Sequence, residues 1–400
     1  MRNGSEKWER ELERWSTPYL EAFEHKVRRR WAPVYLRGLL LPGERKSIEP
    51  IVARVAPEEK EQIHHFVATS TWDTAPIEAA HADRCNELVG GPDAHLIIDD
   101  TALPKKGTHS VGVAHQYCGA LGKQANCQCL VSLTLARNEI PVPIALRLYL
   151  PEAWASDPER RAKARVPEDI SFRPKWRIAL DEIDRLLEHC VQFGDVLADA
   201  GYGSCGEFRA ELSKRKLLWT VGILSTQTAY SASVHVQPPK PKRAIGRQPT
   251  RGLPSEKSRS VAKLIEELGA NAIRKVTWRK GSKGPLSGRF AMMRVCPADG
   301  PRMPTTNHHL PGDEVWLIAE FRSEETKYYL SSMPASASFK TVVSAIKARW
   351  SCEQMHQQMK EELGLDHFEG RSWHGLHHHA VLGMIAFAFL QHLRLRAKHS

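Results

Sequence analysis

The chain has 400 residues, 42% of them hydrophobic, which is enough for two or three domains with a large core. Its net charge of +11 and isoelectric point near 9.3 favour a polyanionic partner, most simply nucleic acid. The eight cysteines are scattered without a C-x-x-C pair, and the N-terminus lacks an apolar signal core. These features argue against a zinc ribbon, a disulfide framework and a signal peptide, and they predict reduced cytosolic thiols.

Residues 1–90 carry a helical pattern. In EKWERELERWSTPYLEAFEHKVRR the apolar residues fall at helical spacing with charges between them, at Trp8, Leu12, Trp15, Tyr19 and Phe23. Basic residues cluster at Arg28, Arg29, Arg30, Arg37, Arg45 and Lys46. Two interpretations stay open: a helical bundle used for packing or dimer contacts, and a DNA-binding domain.

The stretch HLIIDDTALPKKG, residues 95–107, runs from an apolar strand into two adjacent carboxylates, Asp99 and Asp100. A short apolar run bounded by turn residues predicts a central strand covered on both faces. The two acids indicate either a turn or a site for a divalent cation, which would remove their repulsion. Lys105 and Lys106 follow in the turn and are candidate DNA contacts.

From residue 94 the chain predicts a ribonuclease-H-like α/β fold. Three strand-like segments, AHLIID, SVGVAHQYCGAL and CQCLVSLTLARN, predict an antiparallel meander. The amphipathic segment RPKWRIALDEIDRLLEHCVQFG predicts a helix ended by Gly194. The strand DVLADAGYGS, the helix CGEFRAELSKRK and the strand LLWTVGIL follow. This order is that of a mixed five-strand sheet with helices packed on it.

A second carboxylate, Asp199, closes the apolar run VLA of the fourth predicted strand. The active crevice of an α/β sheet lies outside its strand ends, so we expect Asp99 and Asp199 to meet there. The alternative is a strand-to-helix turn in which Asp199 caps the helix.

A third carboxylate lies in SAIKARWSCEQMHQQMKEELGLD, which predicts one long helix. Ile346, Arg349, Glu353 and Lys360 fall within an arc of roughly 60° on that helix. The alternatives are a solvated charged face and an active face, in which Glu353 is a third ligand and Arg349 and Lys360 hold phosphates.

Together, IIDDT, LADAGYG and the Arg-x3-Glu-x6-Lys series resemble the DDE transposases of bacterial cut-and-paste insertion sequences. The resemblance also covers YLRGLLLPGERKSIEPI…WD near the N-terminus. The family signature around the last acid is Tyr-x2-Arg-x3-Glu-x6-Lys, and this chain has Ile346 where Tyr is expected. The family's Asp-x-Thr pattern selects Asp99 over Asp100, whose side chain is expected on the opposite side of the strand.

The resemblance implies a DNA transposase with two Mg²⁺ ions held by Asp99, Asp199 and Glu353, and with Mn²⁺ as a substitute. Such an enzyme cleaves phosphodiester bonds at the element's ends by two-metal hydrolysis. It then joins the 3′-OH ends to target DNA, by way of a hairpin if it follows its relatives. The implied partners are double-stranded DNA, namely the terminal inverted repeats and the target, and a second copy in the DNA complex. No membrane is expected, and the expected location is a bacterial cytoplasm, at the nucleoid. The alternative function is a catalytically silent, transposase-derived DNA-binding protein that acts as a repressor.

Asp199 and Glu353 have 153 residues between them. In the transposase group that this chain resembles, an inserted domain separates the fifth strand from the catalytic helix, and residues 225–313 fit that role. Residues 240–294 contain 15 Lys/Arg and 3 Asp/Glu, a net charge of +12. This segment predicts a Pro-rich loop followed by a basic hairpin, which either tracks the DNA backbone or is a solvated linker. Its candidate DNA contacts are Arg274, Lys275, Arg279 and Lys280, with Trp278 as a base-stacking residue.

The sequence thus predicts four segments along the chain. They are an N-terminal helical domain (1–90), the first part of the catalytic core (91–224), the basic insertion (225–313) and the second part of the core with C-terminal helices (314–400).

The C-terminal stretch AVLGMIAFAFLQHLRL is expected to be too short to span a bilayer and to form a buried core helix. Just before it, His374, His377 and His378 fall at the helical spacing that zinc ligands use. The alternatives are phosphate or backbone contacts, or a polar helix edge, and these are favoured because no HExxH motif occurs.

Overall fold

The computed structural model of the chain describes residues 2–238, 252–281, 284–303 and 309–399. The chain forms two compact units. Unit 1 comprises Met1–Gly194 and Trp350–Ser400, and unit 2 comprises Asp195–Arg349. Most of the predicted Pro-rich loop, residues 239–251, lies outside the described residues.

Unit 1 contains an N-terminal helical region, a group of antiparallel strands and two C-terminal helices. Its elements before unit 2 are α1 (Arg2–Ala22), α2 (Lys26–Leu40), α3 (Ile48–Val55), α4 (Lys60–His64), α5 (Ala75–Val89), β1 (His95–Pro104), β2 (Ala114–Cys118), β3 (Lys123–Arg137), β4 (Ile140–Leu148), α6 (Glu152–Ala155), α7 (Pro158–Ala164) and α8 (Lys175–Glu188). Two further helices of unit 1 follow unit 2 in the chain, and their ranges are given after the elements of unit 2.

The long strand β3 organises the sheet of unit 1, since it pairs antiparallel with β1, β2 and β4. The second predicted strand is shorter than expected, and β4 was not predicted at all. Its residues Pro141 and Pro143 argue against a strand, but among the described residues β4 pairs only with β3. A proline is tolerated on an edge strand because its missing N–H is not needed there.

Helix α8 lies where it was predicted, but it ends at Glu188 rather than at Gly194. Cys190, at φ 56°, turns the chain away from the helix. Gly194 instead allows a close approach of two backbone segments. A Cβ there would lie 2.0 Å from the Pro92 carbonyl oxygen, so only glycine permits this contact.

A buried ion-pair network ties β4 to two helices. Arg147 on β4 donates hydrogen bonds to Glu78 on α5, one of them at 2.6 Å, and to Glu182 on α8, also at 2.6 Å. Burial would raise the pKa of Glu78, but the Arg147 guanidinium lowers it to about 2. This network holds the helices against the edge of the sheet at the site of the unpredicted strand.

Unit 2 is built mainly from strands. Its elements are β5 (Asp195–Ala198), α9 (Ala200–Gly203), α10 (Gly206–Lys214), β6 (Trp219–Ile223), β7 (Thr228–Ser231), β8 (Val236–Gln237), β9 (Leu253–Pro254), β10 (Arg259–Ser260), α11 (Val261–Leu268), β11 (Arg274–Gly281), β12 (Gly284–Pro297), β13 (Val315–Phe321), β14 (Thr326–Ser331) and α12 (Phe339–Ala348); the two remaining helices of unit 1 are α13 (Trp350–Glu361) and α14 (Trp373–His399).

The sheet of unit 2 is mixed. Strand β5 runs parallel to β6, and β6, β14, β13 and β12 then pair antiparallel in that order. The hairpin predicted in the basic insertion is confirmed as β11–β12. Strands β13 and β14 follow the hairpin, and β14 returns the chain to β6. The mixed α/β architecture agrees with the predicted fold class, while strands beyond β6 enlarge the sheet past the five expected.

The predicted long helix around Glu353 is interrupted. Helix α12 ends at Ala348, Arg349 is its C-cap, and α13 begins at Trp350. The interruption coincides with the boundary between the two units. The expectation of one continuous helix is therefore wrong, although the backbone of Arg349 stays right-handed helical, at φ −58° and ψ −27°. That Arg349 and Glu353 share one face stays a prediction.

Helix α14 is long and apolar enough, by length and composition, to cross a membrane, and 61% of its apolar stretch is buried. The expectation that this segment is too short was wrong, because the helix has 27 residues. The expectation of a buried core helix is confirmed by residues such as Leu382, Ala386 and Phe389, each with no exposed surface.

The buried histidine His379 on α14 is satisfied as a neutral ring. With the hydrogen on Nε2, it donates to the Gly364 carbonyl at 3.0 Å and accepts from the Tyr35 hydroxyl at 2.9 Å. Burial lowers the pKa of His379 to about 4, and it does the same to His81 and His377. As the pH falls, these rings therefore take up protons in the unfolded chain before they do so in the folded one.

We predict that unit 1 is acid-labile. As the pH falls from about 6.5, the unfolded chain binds protons that the folded core excludes, so stability falls until the pH reaches about 4. Each such histidine contributes a loss of roughly 2 kcal/mol between pH 7 and pH 5. His379→Gln keeps a donor and an acceptor but cannot titrate, so urea unfolding should depend less steeply on pH.

The matched control is His115→Gln, which changes an exposed histidine on β2. It should leave the pH dependence of the unfolding midpoint as in the parent. Identical pH dependence in the parent and in His379→Gln would contradict the assignment.

Candidate active site

Strand β1 carries Asp99 and Asp100 to opposite faces of the sheet. Leu96, Ile97 and Ile98 before them have no exposed surface, and Asp99 is half-buried. Asp99 lies opposite Ser132 of β3. The alternation of side chains along a strand, used in the sequence analysis, separates the two carboxylates as expected.

Asp100 is held in an ion pair. Its Oδ2 atom lies 2.5 Å from Nζ of Lys175 at the start of α8. The Lys175 ammonium also lies 5.2 Å from the centre of the Tyr149 ring. Burial alone would lower the pKa of Lys175, but Cys129 and Asp100 beside it raise it above the ordinary value. Asp100 therefore has a structural partner on the α8 face.

Helix α13 presents polar side chains to the face of β3 on the Asp99 side. His356 Nε2 lies 2.8 Å from Ser132 Oγ, and Cys352 Sγ lies 3.2 Å from Thr134 Oγ1. One ligand atom each from Asp99, Cys352 and His356 lie within 4.8 Å of one another. The sequence analysis did not single out the cysteine and the histidine, although the Cys-x3-His spacing was visible.

Glu353 lies in the first turn of α13 and is exposed. Among the described residues, the group of potential metal ligands within 4.8 Å of one another contains Asp99 but not Glu353. Asp199 belongs to unit 2, where its Oδ1 atom accepts hydrogen bonds from the N–H groups of Gly201 and Tyr202, at 3.0 and 3.3 Å. Asp199 thus caps α9, as one of the two interpretations expected.

Lys360 and Lys105 are less exposed than DNA contacts usually are. Burial lowers the pKa of Lys360, while the carboxylates of Asp366 and Asp99 oppose that shift. The Lys105 ammonium donates to the carbonyls of Asp366 and Phe368, at 3.3 and 2.7 Å. Lys105 therefore anchors the loop after α13. Lys106, next to it, is exposed.

The basic side chains of the β11–β12 hairpin differ in how exposed they are. Arg274, Lys275 and Lys280 are exposed, and Arg279 is half-buried. The pairing shifts between Thr277 and Arg279, so that the residue between them is an extra one in the strand. The hairpin thus offers three exposed cations along one strand of unit 2.

Trp278, the extra residue in that strand, has partners inside unit 2. Its ring meets Phe290 edge-on with centroids 6.2 Å apart, and Lys347 Nζ lies 4.8 Å from its centre. The structure therefore gives Trp278 a packing role, whereas the sequence suggested a base-stacking role.

Two of the three histidines at the start of α14 have backbone partners. His378 places its two ring nitrogens 3.0 and 2.9 Å from the carbonyl oxygens of Val67 and Trp72. His377 Nδ1 lies 2.9 Å from the Trp373 carbonyl oxygen. Backbone contacts, one of the alternatives considered, account for both rings.

Comparison with known proteins adds a family match. A family model described as DDE superfamily endonuclease matches residues 18–285. The chain is also 29% identical over 189 residues to the probable transposase for insertion sequence element IS701 of Microchaete diplosiphon. That alignment covers 47% of this chain and 47% of the relative, so the chain spans about half of the relative's length. The family match includes Asp99 and Asp199 and ends before Glu353.

We predict that the two adjacent aspartates contribute differently to stability. Asp100→Asn should lower the free energy of unfolding by about 1–2 kcal/mol, because Lys175 stays charged without its partner. Asp99→Asn should cost less. Urea unfolding followed by circular dichroism would measure both.

The double variant Asp100→Asn/Lys175→Met is the control, because removing both partners is less damaging than removing one. It should recover part of the loss. Equal losses in Asp99→Asn and Asp100→Asn would contradict the separation of roles.

Proposed function

Because the chain belongs to the DDE superfamily of endonucleases, we propose that it is the DNA transposase of an insertion sequence. It would cleave phosphodiester bonds at the element's ends and join the resulting 3′-OH ends to target DNA. The observation that carries the proposal is the position of Asp99. This carboxylate ends a fully buried apolar run, faces α13 and has the Lys360 ammonium in its surroundings. The similarity to a probable insertion-sequence transposase supports the same function.

We propose that Asp99, Asp199 and Glu353 hold two Mg²⁺ ions, for which Mn²⁺ can substitute. Carboxylate oxygens are the ligands that Mg²⁺ prefers. Asp199 suits this role locally, because both of its capping hydrogen bonds go to Oδ1. When bound, the ions would activate a water for attack on the phosphodiester and stabilise the leaving 3′ oxygen.

The chain's own cations would position the DNA. Lys360 is half-buried on α13 near Asp99, so we propose that it holds a phosphate of the strand being cut. Arg349 would do the same from the junction before α13. Asp100 takes no part, since Lys175 holds it on the opposite face.

The wider DNA surface would include the β11–β12 hairpin. The sequence places 15 Lys/Arg and 3 Asp/Glu in residues 240–294, which makes this the most basic segment of the chain. We propose that this segment follows the DNA backbone and that the helices of residues 1–90 add contacts. Lys106 is exposed and suits such a contact, whereas Lys105 would act by fixing the loop after α13.

The partners would be the element's terminal inverted repeats, target DNA and a second copy of the chain in the DNA complex. The place of action would be the bacterial nucleoid. The four-segment division of the chain, with an insertion at residues 225–313, stays part of this proposal. A repressor that no longer cleaves is the outcome to be excluded by the experiment below.

We predict that Asp99→Asn, Asp199→Asn and Glu353→Gln each abolish Mg²⁺-dependent cleavage of DNA carrying the element's ends. The loss should exceed the about 10–100-fold that follows from removing a group behind a metal ligand. These substitutions keep side-chain shape, and Asn keeps the cap on α9. A plasmid-cleavage assay measures the loss, and a gel-shift assay should show DNA binding retained.

Asp100→Asn is the matched control and should keep most of the cleavage activity. Full activity in any one of the three variants would remove that residue from the site. DNA binding without cleavage by the parent chain would favour the repressor.

We predict that the hairpin contributes to DNA affinity through phosphates alone. Each phosphate neutralised adds about −0.9 to the slope of log K against log salt on duplex DNA. Changing Arg274, Lys275, Arg279 and Lys280 to Gln should make that slope shallower by up to roughly 3–4 units. Specific and random DNA should lose affinity alike, since phosphate contacts do not read sequence.

The control is Lys214→Gln/Lys216→Gln, which removes two exposed charges elsewhere in unit 2. It should leave the slope unchanged. Lys360→Gln and Arg349→Gln should impair cleavage more than bulk affinity. An unchanged slope in the hairpin variant would move the DNA surface to the N-terminal helices.

A further inference from the structure

Two side chains near Asp99 carry ligand atoms softer than carboxylate oxygen, and the proposed function does not use them. Cys352 and His356 lie one helical turn apart on α13, and the helix places both side chains over β3. One ligand atom from each lies within 4.8 Å of the others and of a carboxylate oxygen of Asp99. All three residues belong to unit 1. A thiol, an imidazole and a carboxylate form a ligand set that differs from three carboxylates in its metal preference.

The spacing of the cysteine and the histidine fits one metal in particular. Cys352 Sγ and His356 Nε2 are 3.7 Å apart. Tetrahedral zinc with bonds of about 2.3 Å to sulfur and about 2.1 Å to nitrogen places these two atoms about 3.6 Å apart. The separation of these two atoms is therefore that of a pair bound to zinc.

The surroundings of the pair also suit a metal. Cys352 has no exposed surface and His356 is 7% exposed, so water competes little for the ligands. Two buried hydroxyl groups lie beside them: Ser132 Oγ at 2.8 Å from His356 Nε2 and Thr134 Oγ1 at 3.2 Å from Cys352 Sγ. The Thr134 hydroxyl can donate to a thiolate and so support a ligand from behind. The Ser132 hydroxyl contacts the nitrogen that would hold the metal, so it would have to turn away or supply a fourth oxygen.

We propose that Asp99, Cys352 and His356 form a binding site for Zn²⁺. The thiolate and the imidazole favour Zn²⁺ over Mg²⁺, which prefers oxygen ligands and sheds its water reluctantly. Zinc bound here occupies Asp99. It therefore competes with the Mg²⁺ used for cleavage and inhibits the enzyme, a consequence that rests on the proposed function.

The test of binding uses the full chain without DNA, freed of metal by a chelator and titrated with Co²⁺ and then Zn²⁺. Cobalt reports the ligands directly, because a thiolate bound to it gives a near-ultraviolet charge-transfer band. The parent should bind one Co²⁺ per chain with that band, and Zn²⁺ should displace it. Cys352→Ser should lose the band, and His356→Gln and Asp99→Asn should weaken binding at least about 10–100-fold.

Two matched controls lie on the other face of β1 and β3. Cys129→Ser removes a buried thiol beside Lys175, and Asp100→Asn removes the neighbouring carboxylate. His374→Ala tests the histidines of α14. All three variants should keep the cobalt band and the affinity of the parent, and circular dichroism checks that each variant is folded.

The proposal is overturned if the parent shows no thiolate band, or if Cys129→Ser loses the band as Cys352→Ser does. Should Cys352→Ser not fold, the affinities of His356→Gln and Asp99→Asn decide. Binding without inhibition of Mg²⁺-dependent cleavage would support the site and reject its competition for Asp99. Absence of any cleavage by the parent would reject the proposed function while leaving the zinc site supported by the cobalt data.

Discussion

The pairing register of β1 on β3 is the constraint on which the candidate site depends. Asp99 lies opposite Ser132, and a slip of one residue would turn every side chain of β1 to the other face. The apolar run Leu96–Ile98 cannot set this register, because it is buried on both faces. Polar side chains of β1 favour this register, since Asp100 pairs with Lys175 on one face and Asp99 lies near His356 on the other.

Separation of the two adjacent carboxylates follows from that register. If both charges shared one pocket, their repulsion would raise the free energy of the folded state, and burial would make this worse. Lys175 compensates Asp100 through an ion pair at the start of α8. Asp99 lies on the face towards α13, where its carboxylate interacts electrostatically with the ammonium group of Lys360. The ion pair of Asp100 is thus a condition for the chemistry proposed for Asp99.

The hydrophobic periodicity of the sequence predicted those helices and strands whose formation depends mainly on residues close in the chain. Helix α8 and the strand ending before Asp199 have clear periodicity and lie where they were expected. The strand that carries Asp99 also begins where it was expected, but it continues past the two carboxylates to Pro104 because its pairing with β3 does. The unpredicted β4 contains two prolines and depends on its edge position against β3. The break at Arg349 has no glycine or proline to announce it. The alternation of side chains along a strand predicted that the two aspartates face opposite sides. The contact of α13 with β3 is tertiary, and the Cys-x3-His spacing alone did not indicate it.

Helix α13 offers hard and soft ligands within a single turn. Glu353 is exposed, while Cys352, one residue earlier and about 100° around the helix, has no exposed surface. A metal that keeps its water can therefore approach the glutamate but not the thiol. Mg²⁺ dehydrates reluctantly, so burial excludes it from the cysteine and histidine as effectively as ligand chemistry does. If metals bind at Asp99 as proposed, the side of α13 that supplies the remaining ligands would decide between Mg²⁺ and Zn²⁺.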